Sequence, residues 1–73
     1  SEMCIRDRLR RARNQQRLSL AAAVAMLAER GYTTTKATLS NYETGKRAPR
    51  ADLLAHLAQM YQVDVGFFYS GPG

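Results

Sequence analysis

The chain has 73 residues, a formal net charge of +5 and a sequence pI near 10.0. This length corresponds to one domain, and the single cysteine, Cys4, excludes an intramolecular disulfide and a cysteine-based zinc site. No apolar run is long enough to span a membrane, and the Arg-rich start lacks the apolar core of a secretory signal, so we expect a reducing cytoplasm. The basic excess indicates an anionic partner, most often nucleic acid, although a merely soluble basic protein has the same composition.

The first helix is predicted over residues 5–16, because Ile5, Leu9 and Ala12 follow the i, i+4, i+7 spacing of a buried stripe. The remaining faces of this segment carry many arginines: Arg6, Arg8, Arg10, Arg11, Arg13 and Arg17. Because like charges this close repel one another, we expect some of them to meet phosphates or a carboxylate. A solvated arginine face is the alternative.

The second helix is predicted to begin after Ser19, a good N-cap, and to end near Gly31. Its predicted core face has helical spacing and consists of Leu20, Ala23, Val24, Leu27 and Ala28.

The third helix is predicted between the hydroxyl-rich run of residues 33–35 and Gly45, which suits the left-handed end of a helix. Leu39 and Tyr42 lie three apart and share a core face. The other faces are small, polar and nearly free of acid: Lys36, Ala37, Ser40, Asn41 and Thr44. Such a surface suits the major groove of DNA, where Lys and Asn meet base edges and hydroxyls meet phosphates. An ordinary polar surface helix is the alternative interpretation.

The fourth helix is predicted to begin at Arg50 or Ala51, after Pro49, with Asp52 near the positive end of its dipole. Its predicted inner stripe is Leu54, Leu57, Ala58 and Tyr61. Leu53 and Met60 lie to one side and are expected at the edge of the core or against a second subunit. His56, the sole histidine, is expected to be exposed, without a metal or catalytic role.

A short fifth helix is predicted over residues 65–69, capped by Asp64. We expect Val65 and Phe68 to be buried and Phe67 or Tyr69 to stay exposed. Residues 1–4 and 70–73 are predicted to be flexible ends.

One run of residues is more specific than any helical period. It is Leu39-Ser40-Asn41-Tyr42-Glu43-Thr44-Gly45, followed by Pro49, and it stands in a context that includes Leu18-Ser19 and Val63-Asp64-Val65. With these pieces the chain resembles the lambda-repressor/Cro-type (XRE-like) helix-turn-helix domains over residues 5–69. The resemblance implies an all-α bundle of five helices, in which the second and third form the helix-turn-helix and the third lies in the major groove.

The resemblance also implies roles for individual residues. The positions that face bases are Lys36, Ala37 and Asn41. The positions that contact the DNA backbone are Thr35, Thr38, Ser40, Thr44, Lys46, Arg47 and, from the end of the first helix, Arg17. Glu43 takes the position of a structural acid that pairs with an arginine of the first helix, here Arg13.

The sequence departs from the family pattern in the second helix and the turn. The distance along the chain from Ser19 to Leu39 is longer than usual, so we expect a lengthened second helix and a lengthened turn. Leu20 stands where such domains often carry a phosphate-contacting Gln, and Gln62 replaces a frequent helix-ending Gly.

The functional expectation is a sequence-specific regulator of transcription, most simply a repressor that binds a palindromic operator as a homodimer. The expected dimer surface consists of Leu53, Met60, Phe67 and Tyr69. The alternative is a protein-interaction module, such as the antitoxin of a toxin–antitoxin pair. No enzyme, cofactor or small-molecule ligand is expected, because the chain has one histidine, one cysteine and no clustered carboxylates.

Overall fold

The structure, a computed structural model, describes residues 5–69 without the side chain of Arg6. Within that range the chain forms five helices and no strand: α1 Ile5–Gln15, α2 Leu20–Glu29, α3 Lys36–Thr44, α4 Ala51–Tyr61 and α5 Gly66–Tyr69. The predicted all-α fold is therefore confirmed. Cys4 and the segments 1–4 and 70–73, predicted to be flexible, lie outside the described residues.

The helix ends follow local chemistry. Ser19 and Thr35 have extended backbones, and their hydroxyl oxygens accept the amide N–H of Ala22 and Thr38 respectively. Gly45 ends α3 with a φ of 82°, a conformation that costs glycine little because it has no Cβ. Gln62 ends α4 in the same left-handed region, with a φ of 58°, so a residue with a side chain takes the position where the family often has glycine.

The core is built from one face of each helix. Leu9 and Ala12 of α1 are buried, as are Ala23 and Leu27 of α2 and Leu39 of α3. The largest contribution comes from α4, and it includes the whole predicted inner stripe. The buried residues of α4 are Leu53, Leu54, Leu57, Ala58, Met60 and Tyr61. Phe68 of α5 closes the core, as predicted, and Tyr42 packs against it from a half-buried position.

Four expectations about burial were wrong. Leu53 and Met60 are not available for a dimer surface, because both side chains are buried in the core of one chain. Val65 precedes α5 instead of beginning it and is 39% exposed. Ala28 is exposed, and the buried residues of α2 are Ala23 and Leu27. His56 is half-buried, because Tyr32 packs against its ring.

The connector between α2 and α3 is longer than usual, as predicted. Residues 30–35 join α2 to α3, which exceeds the turn of about three or four residues common in helix-turn-helix motifs. The helix α2 itself has 10 residues. How this connector is held therefore bears on where α3 lies.

Candidate nucleic-acid interface

The outer face of α3 is uncharged except for its lysine. Ala37, Asn41 and Thr44 lie at i, i+4 and i+7 and so form one stripe, on the side of the helix away from buried Leu39. Ala37 and Thr44 are exposed, Asn41 is half-buried, and Lys36 is exposed in the first turn. The only carboxylate of α3 belongs to Glu43, which is buried at 7% exposure. The exposed surface of α3 thus carries no acid.

Glu43 points inward because Arg13 binds it. The Arg13 guanidinium donates from Nε to Glu43 Oε2 at 2.7 Å and from Nη2 to Glu43 Oε1 at 2.8 Å, and it also donates from Nη1 to the carbonyl of Leu18 at 2.7 Å. The predicted pair is therefore present as a two-pronged contact, which we call the Arg13–Glu43 fork. Hydrogen bonding to Glu43 raises the pKa of Arg13. The fork ties α1, the turn after it and α3 into one unit.

The two ends of α3 use hydroxyls differently from the predicted phosphate contacts. Thr35 donates its hydroxyl to Thr38 Oγ1 at 3.0 Å while it caps the helix. Thr44 donates its hydroxyl to the carbonyl of Ser40 at 3.0 Å. The hydroxyls of Thr35 and Thr44 are therefore both engaged in hydrogen bonds at the ends of α3.

A basic exit follows α3. The carbonyl of Asn41 accepts the amide N–H of Gly45, of Lys46 at 2.9 Å and of Arg47 at 3.2 Å. These bonds turn the chain sharply, and the side chains of Lys46 and Arg47 are both exposed beside the end of the helix. The side-chain amide of Asn41 is predicted to contact a base. Its backbone carbonyl also holds the backbone of Lys46 and Arg47, which are predicted to contact phosphates.

One arginine near α3 was not singled out by the sequence. Arg10 Nε lies 3.7 Å from Glu43 Oε1, too far for a hydrogen bond, and its side chain is 58% exposed. The fork already occupies that oxygen, so Arg10 adds a positive charge at the edge of α3. Its spacing of three residues from Arg13 could have suggested this position, but the six arginines between residues 6 and 17 obscured it.

Other predicted residues lie around this surface. Arg17 is exposed just after α1, with a φ of 56°, next to the Leu18 carbonyl that Arg13 binds. Phe67 is half-buried: Arg8 donates to its carbonyl at 2.8 Å and places its guanidinium 5.2 Å from the ring centroid. Tyr69, at 59% exposure, is the more accessible of the two aromatic residues predicted for a dimer surface.

A second polar cluster joins the connector to α4, and sequence reasoning missed it. Arg30 donates from Nε to Nδ1 of His56 at 3.3 Å and from Nη2 to Oε1 of Gln59. The ring of Tyr32 lies 5.8 Å from that of His56, measured between centroids. We call the contacts of Arg30 with His56 and Gln59 the Arg30 clasp. His56 and Gln59 lie 26 and 29 positions after Arg30 in the sequence, so no local pattern links them to it.

Two other kinds of feature are absent from the described residues. No group of three or more His, Cys, Asp or Glu side chains there is arranged to hold a metal ion. None of the five helices is long and apolar enough to cross a membrane.

Comparison with known proteins agrees with this geometry. A family model described as a helix-turn-helix domain matches residues 5–66, which is most of the chain and includes α2, α3 and the connector between them. No curated protein matches the sequence. The family match is in keeping with the lambda-repressor/Cro-type resemblance; it indicates a DNA-binding regulator, and such domains are typically not enzymes. The chain belongs to the helix-turn-helix domain family.

Proposed function

We propose that this protein is a sequence-specific regulator of transcription that places α3 in the major groove of double-stranded DNA. We further propose that it acts as a repressor, as a homodimer on a palindromic operator. An α-helix fits the width of the major groove, where each base pair shows a distinct pattern of donors and acceptors.

The observation that carries this proposal is the acid-free outer face of α3. A carboxylate on that face would repel the phosphates on both walls of the groove. The helix does contain one carboxylate, but the Arg13–Glu43 fork holds it inside the bundle. The fork thereby removes the repulsion and fixes the helix that is to be inserted.

The side chains of α3 suit different bases. Asn41 is able to pair with the N6 and N7 atoms of adenine, and Lys36 with the acceptors of guanine. Ala37 offers only an apolar contact, for example to a thymine methyl group. We expect Asn41 to contribute most to specificity, because a side-chain amide both donates and accepts.

The DNA backbone is the proposed partner of the residues around α3. Thr38, Ser40, Lys46, Arg47 and Arg17 are the contacts that we favour. Thr35 and Thr44 are expected to contribute less through their hydroxyls, because each already donates within the helix.

A homodimer would place two copies of α3 on one face of the duplex, about 34 Å apart for adjacent turns. The proposed dimer surface now rests on Tyr69 and the half-buried Phe67. A palindromic operator is the natural target of a twofold-symmetric dimer.

Selection of bound sequences from a random duplex pool, at near-physiological salt, tests this function. We expect enrichment of an inverted repeat, whose half-site spacing gives the separation of the two recognition helices. Binding without enrichment, which merely weakens as salt rises, would contradict the proposal.

The role of Asn41 is tested by Asn41→Ala on the selected operator and on a scrambled duplex. Specific affinity is expected to fall by about tenfold, since one two-pronged base contact is lost, while affinity for the scrambled duplex changes little. Asn14→Ala, on the exposed side of α1, is the matched control and should leave both affinities nearly unchanged. An equal loss on both duplexes would remove Asn41 from base readout.

A further inference from the structure

The connector between α2 and α3 is anchored at its beginning. Arg30 follows α2 directly, and its guanidinium donates to His56 and Gln59, one turn apart on α4. The amide of Tyr32 donates to the carbonyl of Leu27 at 2.8 Å, and its ring packs against His56. These contacts fix residues 30–32, which leads the chain toward the N-cap Thr35.

The N-terminal end of α3 depends on this connector. The Arg13–Glu43 fork holds α3 near its C-terminal end, since Glu43 is the second-last residue of the helix. Lys36 and Ala37, in the first turn, follow directly after the connector. A change in the path of residues 30–35 would therefore tilt the base-reading end of α3 about the fork.

From this geometry we infer that Arg30 and His56 are positioning residues for DNA recognition, and that protonation of His56 releases the connector. The inference rests on the proposed function and deepens it. It gives the lengthened connector a role: the Arg30 clasp sets the approach of α3 to the groove.

The chemistry of the clasp requires a neutral imidazole. Nδ1 of His56 accepts a hydrogen bond from Arg30, so the ring proton must be on Nε2. A protonated imidazole has no acceptor nitrogen, and it would bring a second positive charge to within a few ångströms of the guanidinium. Histidine is the side chain that ordinarily changes charge between about pH 5 and 8.

The charged and titratable groups around His56 come from three elements. Arg30, at the end of α2, opposes a second positive charge. Tyr32, in the connector, packs as an uncharged phenol whose pKa is raised by burial and by the nearby Asp52. On α4, Asp52 lies one turn before His56, and Arg50 Nε lies 3.8 Å from the Asp52 carboxylate. Gln59 is neutral.

Acidification is expected to weaken specific DNA binding, which is the opposite of what added positive charge alone would do. An added positive charge normally strengthens binding to DNA. Release of the connector instead weakens specific binding, because the base-reading end of α3 moves. His56 is the only histidine in the chain, so acidification adds charge at no other imidazole.

The experiment titrates the full chain with the selected operator and with a scrambled duplex at pH 7 and pH 5.5. For the wild type we expect the ratio of specific to non-specific affinity to fall about threefold to tenfold on acidification, the range expected from one lost hydrogen bond. His56→Gln keeps an acceptor without the titration and should show a flat ratio. Arg30→Gln should show the lowered ratio already at pH 7.

Two further measurements distinguish positioning from a general loss of charge or fold. Arg11→Gln, an exposed arginine of α1, should reduce affinity for both duplexes without changing their ratio. Hydrogen exchange of the Tyr32 amide in the free wild-type protein should lose protection at pH 5.5, beyond its intrinsic rate change, and should not do so in His56→Gln.

The outcomes separate the two proposals. A wild type that discriminates operator from scrambled duplex equally well at both pH values would overturn the positioning role and leave the proposed function standing. The same holds if Arg30→Gln and Arg11→Gln behave alike. A wild type that fails to discriminate at pH 7 would overturn both.

Discussion

The two ends of α3 are held by arginines in opposite ways. At the C-terminal end, Arg13 meets a buried carboxylate through two short bonds, and both side chains are largely shielded from solvent, at 12% and 5% exposure. At the N-terminal end, exposed Arg30 meets a neutral imidazole and a neutral amide through the connector. One anchor joins two helices directly, and the other acts through the connector of residues 30–35.

The two anchors of α3 therefore differ in how much free energy their loss would cost. A buried ion pair that loses one partner leaves a charge in a place where water does not compensate it, so the fork is costly to break. The contacts of Arg30 are exposed, so water competes with them and their loss costs less than the loss of the fork. The fork therefore holds α3 firmly at its C-terminal end, and we propose that the weaker Arg30 clasp adjusts the direction of its first turn.

The largest effect is expected from Glu43→Gln, which removes the charge that neutralises Arg13. We expect the free energy of unfolding to fall by about 3 kcal/mol or more. For a domain of this size that is much of the total stability, so urea unfolding monitored by helical circular dichroism should show a greatly lowered midpoint.

Glu29→Gln is the matched control for this change, because Glu29 is exposed at the end of α2. It should shift the urea midpoint only slightly. Similar shifts in the two variants would mean that the fork is no stronger than a surface contact, and the comparison between the two ends of α3 would fail.

The next effect concerns alkaline pH and Tyr61, which lies near the fork. Burial, followed by the negative charge of Glu43, raises the pKa of Tyr61 from its ordinary value of 10.0 to about 12. The neutral phenol is therefore favoured in the folded state. Its contribution is fully present below about pH 10 and is lost as pH rises toward about 12, by an amount on the order of 2–3 kcal/mol.

Urea unfolding at pH 9, 10 and 11 checks this expectation. Tyr61→Phe should flatten the decline, whereas Tyr69→Phe, at a 59% exposed position, should leave it unchanged. If the free energy of unfolding declined as steeply with pH in Tyr61→Phe as in the wild type, ionisation of Tyr61 would not be the cause of the loss of stability at alkaline pH.

A smaller effect is expected at the N-cap of α3. Thr35→Ala removes the oxygen that accepts the Thr38 amide, so the free energy of unfolding should fall by about 1 kcal/mol. Thr35→Ser keeps that oxygen and should restore most of the loss in the same thermal or urea measurement. If serine and alanine were equally destabilising, the cap would not hold this end of the helix.

The smallest effect is expected from Arg30→Gln on stability. The contacts of Arg30 are exposed, so the free energy of unfolding should fall by less than about 1 kcal/mol. The same urea measurement as for Glu43→Gln checks this. A loss comparable to that of Glu43→Gln would mean that the Arg30 clasp stabilises the fold as much as the fork does, so the two ends of α3 would not differ in strength.

Local signals in the sequence predicted the helices well. Ser19, Thr35 and Gly45 act on amides and carbonyls within a few residues, so their effect is legible without the fold. The buried positions of α1 and α4 also follow from helical spacing, as Leu9 and Leu57 illustrate. The pairing of Arg13 with Glu43 was available only through resemblance, because 30 residues separate the two.

The amino-acid sequence was enough to place the starts of α2, α3 and α4, the end of α3, the apolar stripes of α1 and α4, and the acid-free exposed face of α3. The burial of Leu53 and Met60, the place of Arg10 at the edge of α3 and the contact of Arg30 with His56 emerged only from the packed fold. The reason is physical: caps and amphipathic stripes depend on neighbours along the chain, whereas the width of a buried face and the partner of an exposed arginine depend on which helix lies beside it.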